Sequence, residues 1–233
     1  MIQEQPNVQT TKQVRSWKRM VGLVIQLLFG MTVILYVAND LAYVGAWVLG
    51  GLYVFSYVVF FLGLPKELAS TRGKRIKNSP LYEKIIRFVM ILLGYGVYVV
   101  AGFDHKLGWT IAMPWFMLWI AGFIFLIGMG IVFSAMRENA HFNQMVSKDE
   151  HHQVIDTGPY SIIRHPGYLG MMTYLSVVPI ILGSLYAMIP TIGIIILFLI
   201  RTHLEDNYLS RHMEGYQAYK DKVTKRLFRS FKS

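Results

Sequence analysis

The sequence predicts an all-α, polytopic integral membrane protein of about six transmembrane helices, the last two forming a helical hairpin, with a polar cap on one side. Three observations carry this expectation. Of the 233 residues, 54% are apolar and 15% charged, against about a quarter charged in soluble domains. Apolar stretches recur near the length of roughly 20 residues that a crossing helix needs. The basic residues gather in alternate connecting segments. Such a composition excludes a disordered chain and an ordinary water-soluble enzyme. The chain contains no cysteine, which excludes a disulfide framework, a thiolate metal site and a cysteine nucleophile.

Taken in order, the expected spans are Val21–Ala38, Leu41–Leu64, Ile85–Phe103 and Met113–Phe133. The first is read as retained rather than as a leader, because no small-residue cleavage pattern follows and Asn39-Asp40 leads straight into the next span. A further apolar run from Gly167 to Ile200 is broken by Pro179, Gly183, Ser184 and Pro190. It is too long for one helix and suffices for two short ones. A hairpin turning near Gly183–Tyr186 results, giving six crossings, or five if the hairpin is re-entrant.

Orientation follows from Lys and Arg. All but Lys106 of the 23 lie before the first span, in 65–87, in 134–166 or from Arg201 onward. Six spans place those segments and both termini in the cytoplasm. The formal charge of +10 then reflects topology and contact with anionic headgroups, and no nucleic-acid partner is expected. Ala42, Ala46 and Gly50, together with Gly94, Gly96, Gly128 and Gly130, offer small surfaces for helix packing.

Polar chemistry concentrates in residues 134–166 and in the segment from Arg201, which the hairpin returns to the same membrane face. Ionisable groups at a membrane boundary cost free energy unless paired or solvated, so a cluster there marks a candidate site. Thr157-Gly158-Pro159-Tyr160 reads as a turn. Pro166 suits the first turn of the following helix, whose free N–H groups favour an anionic ligand group. Arg201 and Glu205 lie four apart on one helical face, either as a plain ion pair or as holders of oppositely charged ligand groups. His141, His151, His152, His165, His203 and His212 form no HExxH-type pattern, so no metal site is expected. No GxGxxG follows a strand.

Residues 152–170, HQVIDTGPYSIIRHPGYLG, resemble the H-x-L-V-x-x-G-x-Y-x-x-x-R-H-P-x-Y-x-G signature of the isoprenylcysteine carboxyl methyltransferase family, which is related to the phospholipid N-methyltransferases. The segment from Arg201 resembles the family's R-x-x-x-E-E ending, with Asp206 one methylene shorter than the usual second acid and without the usual proline after Arg226-Leu227. The likeness covers about residues 113–229. It implies a methyltransferase core at 113–233 (fourth span, cytoplasmic cofactor-binding cap, hairpin and C-terminal amphipathic helix), preceded by three membrane helices and a basic loop at 1–112. It further implies S-adenosylmethionine as cofactor, touched by His152, Val154, Ile155, Tyr160, His165, Pro166, Gly167 and Tyr168. Glu205 would hold the cofactor's amino group and Arg201 would face the substrate, the two forming the catalytic pair.

A sulfonium charge that disperses as a nucleophile attacks is favoured in a water-poor site near lipid. The expected function is therefore methyl transfer to a lipophilic or small amphiphilic acceptor, either isoprenylcysteine-carboxylate-like or phospholipid-amine-like. Membrane lipids are the expected surroundings, in a bacterial inner membrane as the resemblance to bacterial members of the family implies, and the oligomeric state is open. Two alternatives stand beside it: an NADPH-dependent membrane reductase of isoprenoid or sterol type, and a non-enzymatic scaffold. Tyr216, Tyr219, Val223 and Leu227 form one stripe, suited equally to an interfacial helix or to packing against 134–166.

Overall fold

Apolar helices build most of the described chain. The computed structural model describes residues 8–64, 81–139 and 154–227, with side chains from residue 21 onward. Its α-helices are α1 (Val8–Ala38), α2 (Val44–Gly63), α3 (Leu81–Leu107), α4 (Trp115–Glu138), α5 (Pro166–Ile181), α6 (Met188–His212) and α7 (Tyr216–Lys222), with a 3-10 turn at Gly158–Ser161. Among the described residues there is no strand. Five of these helices, α1 to α4 and α6, are long and apolar enough to cross a membrane. The sixth, α5, has 16 residues, about 24 Å at the helical rise, short of the ~30 Å hydrocarbon core.

The expected spans are all present, with shifted ends. The turn between α1 and α2 holds Asn39 at φ +53°, and the Asp40 carboxylate accepts the Ala42 N–H at 2.8 Å, so α2 begins at Val44 rather than Leu41. Helix α3 starts four residues before the expected Ile85, and α4 runs five beyond the expected Phe133. The hairpin turns where expected: α5 ends at Ile181, Gly183 takes φ +65°, and Ser184 donates its N–H to the Pro179 carbonyl at 2.9 Å.

Large apolar side chains such as Phe29, Trp115, Trp119 and Phe123 point outward and are more than half exposed. A water-soluble monomer does not expose so much apolar surface, and lipid covers it here. Inside, Phe125, Ile34, Ile181 and Leu182 are fully buried in one core shared by α1 to α6. Its closest crossing is α4 on α5. A Cβ on Gly128 would lie 2.6 Å from the Tyr174 backbone nitrogen, and one on Gly170 would lie 2.6 Å from the Gly128 carbonyl oxygen. Paired glycines let the two backbones touch, as lipid-embedded helices do at small-residue contacts.

The two ends of the bundle differ. At one end Asp104, 2% exposed, accepts hydrogen bonds from the Thr110 N–H (2.7 Å), the Thr110 hydroxyl (2.6 Å) and the Ser184 hydroxyl (2.5 Å). That knot ties the α3–α4 connection to the tip of the hairpin. Beside it, Tyr43 stacks on His105 and donates its hydroxyl to the Leu182 carbonyl, while His105 Nε2 meets Asp40 Oδ2 at 2.8 Å. At the other end, the open side of the hairpin receives the polar segments.

Candidate active site

Three stretches converge at the open end of the hairpin: residues 154–168, the last three turns of α6, and residues 216–227. The convergence starts locally. Gly158, at φ +54°, makes the reversal that begins the 3-10 turn; a side chain would be strained there and would press on Glu138 at 3.0 Å. The Thr157 hydroxyl donates to the Glu138 carboxylate, fastening the turn to the end of α4. Pro166 occupies the first turn of α5, where its missing N–H costs nothing. Gly215, at φ +78°, turns the chain out of α6 into α7.

The stripe Tyr216, Tyr219, Val223 and Leu227 packs inward, each residue 6% exposed or less. Of the two readings of that stripe, packing holds. Tyr216, Tyr219 and Val223 enclose Tyr160 and Ala135, with Val154, Ile155, Leu209 and Met213 against them. The Tyr219 hydroxyl donates to the Tyr160 carbonyl at 2.7 Å. Beyond α7 the chain runs alongside the entry to α5, and the Arg164 and His165 N–H groups donate to the carbonyls of Lys225 (3.0 Å) and Arg226 (3.1 Å).

At the centre sits Asp206, 2% exposed. Arg164 donates Nε to Oδ1 at 2.9 Å and Nη2 to Oδ2 at 3.1 Å, and its Nη1 donates to the Val223 carbonyl at 2.6 Å. Asp206 Oδ1 also accepts the Tyr216 hydroxyl at 2.8 Å and meets His165 Nε2 at 3.3 Å. A buried carboxylate is tolerated only when paired and hydrogen-bonded, and this one is held by all three converging stretches. Asp206, whose role the sequence left open, is the joint of the site.

Next to it in the chain, Glu205 is half-buried and accepts the Tyr168 hydroxyl. The Tyr168 ring lies parallel to His165, with centroids 5.7 Å apart, and the Arg201 guanidinium stands 5.4 Å from its centre. Arg201, however, does not close a simple pair with Glu205. Its Nη2 lies 3.0 Å from Glu83 Oε2, both side chains being at most 5% exposed. The two charges touch without the alignment of a good hydrogen bond. Among the described residues, both Glu83 oxygens and the Arg201 Nε and Nη2 lack one.

Outside the spans, burial pushes the Tyr160 phenol up, and it pushes Tyr216 up with the Asp206 charge adding to the effect. Burial raises Tyr219 to about 12. The hydrogen bond from Lys222 Nζ, at 2.7 Å, holds the exposed Asp156 below the usual carboxylate range.

The expected residues Tyr160, His165, Pro166, Gly167, Tyr168, Arg201 and Glu205 thus come together at one end of the bundle, with Val154 and Ile155 in the adjoining apolar cluster. His152, like His141 and His151, lies outside the described residues. Glu83 was not expected. Its signal was an acid just ahead of an apolar run, concealed because the helix was read as starting at Ile85.

The fold and this cluster define a polytopic α-helical membrane protein with a charged, partly dry site where a helical hairpin meets its polar flanks. Residues 119–211 match the model of the isoprenylcysteine carboxyl methyltransferase (ICMT) family, and the resemblance read from the motifs is borne out over that segment. The match runs from α4 through the hairpin to the end of α6. Together with the apolar helices it supports a membrane methyltransferase, and S-adenosylmethionine is that family's methyl donor. No curated protein matches the chain. Glu83 and the 216–227 stretch lie outside the matched residues.

Proposed function

We propose that the protein is an S-adenosylmethionine-dependent methyltransferase that methylates a lipophilic or small amphiphilic acceptor at the membrane's cytoplasmic face. The observation that carries this reading is the half-buried Glu205 carboxylate, set by Tyr168 within 37 residues of sequence separation across the hairpin and lying in the family-matched segment. A carboxylate so placed suits an ammonium group. The orphaned Arg201 and Glu83 atoms beside it are buried polar groups left for the methyl acceptor rather than for the cofactor. The neighbouring donor set fits the cofactor: Glu205 for its amino group, the free N–H groups at the start of α5 for its carboxylate, and Tyr160, His165, Pro166, Gly167, Tyr168, Val154 and Ile155 as walls.

When bound, the cofactor supplies an electrophilic methyl group on a sulfonium. The chain contributes position and dryness: Asp206 locks Arg164 and His165, Tyr168 orients Glu205, and the hairpin excludes water from the seam. We read residues 113–233 as the methyltransferase core and 1–112 as its membrane support, with α3 reaching into the site through Glu83. The Lys and Arg distribution supports a cytoplasmic orientation for this end and for both termini, and the resemblance to bacterial family members supports a bacterial inner membrane as its location. The NADPH reading is disfavoured because the sequence offers a 2′-phosphate no arginine cluster beyond Arg201 and Arg211, and Arg201 already faces Glu83.

Calorimetry of S-adenosylhomocysteine binding to the detergent-purified protein tests the proposal. The wild type binds and Glu205→Ala does not, while both keep their helical circular dichroism. A folded wild type that fails to bind S-adenosylhomocysteine overturns it.

A further inference from the structure

Among the described residues the least explained group is Glu83. It is 1% exposed, lies in the first turn of α3, and touches Arg201 Nη2 at 3.0 Å. Among the described residues neither of its oxygens accepts a hydrogen bond. An ionised carboxylate has about four lone-pair positions to fill, and leaving them empty in a dry site is costly. The same contact occupies the positive charge of Arg201, which would otherwise be the natural holder of an anionic acceptor.

Two acceptor chemistries can be compared on this geometry. A carboxylate acceptor would find Arg201 already neutralised and would face Glu83 and Glu205 at close quarters, like charges in a low dielectric. It also needs no base. An amine acceptor supplies N–H donors to the unbonded Glu83 oxygens and must lose a proton before it can attack.

We propose that Glu83 is the proton acceptor for the methyl acceptor, and that by occupying Arg201 it selects an amphiphilic amine over a carboxylate. This inference rests on the methyltransferase reading. The ammonium gives one proton to a Glu83 carboxylate oxygen. The freed nitrogen lone pair forms the bond to the methyl carbon, and the electrons of the broken sulfur–carbon bond stay on sulfur, which leaves as a neutral thioether. The methylated amine carries the positive charge that the sulfonium loses.

Oleylamine and oleate, which share one tail, serve as probes with the full-length protein in mixed micelles. With S-adenosylhomocysteine present, oleylamine raises the thermal midpoint and oleate does not. With labelled S-adenosylmethionine, only oleylamine takes up label. Glu83→Gln lowers that rate by about 100-fold, the range of general-base effects, and leaves S-adenosylhomocysteine affinity within about twofold. Its rate recovers as pH rises, because the amine then deprotonates in solution, a response that a purely structural role would not produce. Glu83→Gln also gains oleate binding as Arg201 is released.

Preferential binding or labelling of oleate by the wild type overturns the inference, as does indifference to oleylamine in a protein that binds S-adenosylhomocysteine. If Glu83→Gln does not fold, the wild-type comparison of the two probes decides. Failure to bind S-adenosylhomocysteine is the separate result that removes the methyltransferase reading itself.

Discussion

Arg164 grips Asp206 through two parallel hydrogen bonds, 2.9 and 3.1 Å, across the open end of the hairpin. Planar, two-point pairing of this kind adds directional precision to charge attraction. The two side chains are 6% and 3% exposed, so neither charge has water to fall back on.

Removing one partner should therefore cost more than the pair itself is worth. Asp206→Ala is expected to destabilise the protein by about 3–5 kcal/mol, the cost of stranding a buried charge. Thermal unfolding in detergent reads this out. S-adenosylhomocysteine binding should fall in parallel, because Arg164 and His165 lose their common anchor.

The α4–α5 crossing makes a contrasting prediction about packing. Gly128→Ala and Gly170→Ala each place a methyl group against backbone atoms at 2.6 Å, and each should cost about 1–3 kcal/mol or more, as overpacking does. Gly130→Ala, with nothing within 4 Å of the added atom, should be neutral or slightly stabilising, since alanine favours helix. Unfolding midpoints of the three variants side by side give the answer.

Tyr168→Phe separates the hydroxyl from the ring. The ring should keep its place beside His165 and Arg201, while the hydrogen bond to Glu205 is lost. A bond to a charged group contributes about 1.5–3 kcal/mol, so S-adenosylhomocysteine affinity should drop by roughly tenfold to a hundredfold with little change in the unfolding midpoint.

The buried tyrosines around α7 set an alkaline limit. Tyr219 rises from 10.0 to about 12 because burial disfavours its phenolate. In the unfolded chain the phenol ionises near its ordinary value, so the stabilising contribution is complete below pH 10 and is lost as pH climbs through about 12. Spectrophotometric titration should show Tyr219, with Tyr160 and Tyr216, ionising only as the fold gives way. Ionisation of all three at ordinary phenol values in the folded protein would contradict their burial.

How far the sequence foretold this arrangement depended on the kind of signal involved. Hydropathy located each span because lipid demands a run of apolar residues, and the breakers Gly183 and Ser184 marked the hairpin. The GPY and RHP motifs located Tyr160 and His165 because their turns are local. Helix ends were less legible. Residues 81–84 belong to α3 although the apolar run begins only at Ile85, and those four residues decide whether Glu83 belongs to a loop or to the site. The tyrosine stripe after Gly215 was equally good for lipid or for protein. Only the bonds from Tyr216 to Asp206 and from Tyr219 to Tyr160 resolve it.

The Val223 carbonyl that caps Arg164 lies 59 positions further along the chain. A ribosome therefore delivers the guanidinium well before the oxygen that quiets it. Until residues 223–227 have emerged and doubled back, the emerging protein carries an unsettled arginine at the lip of the membrane. Completion of the pocket is thereby tied to completion of translation through this stretch.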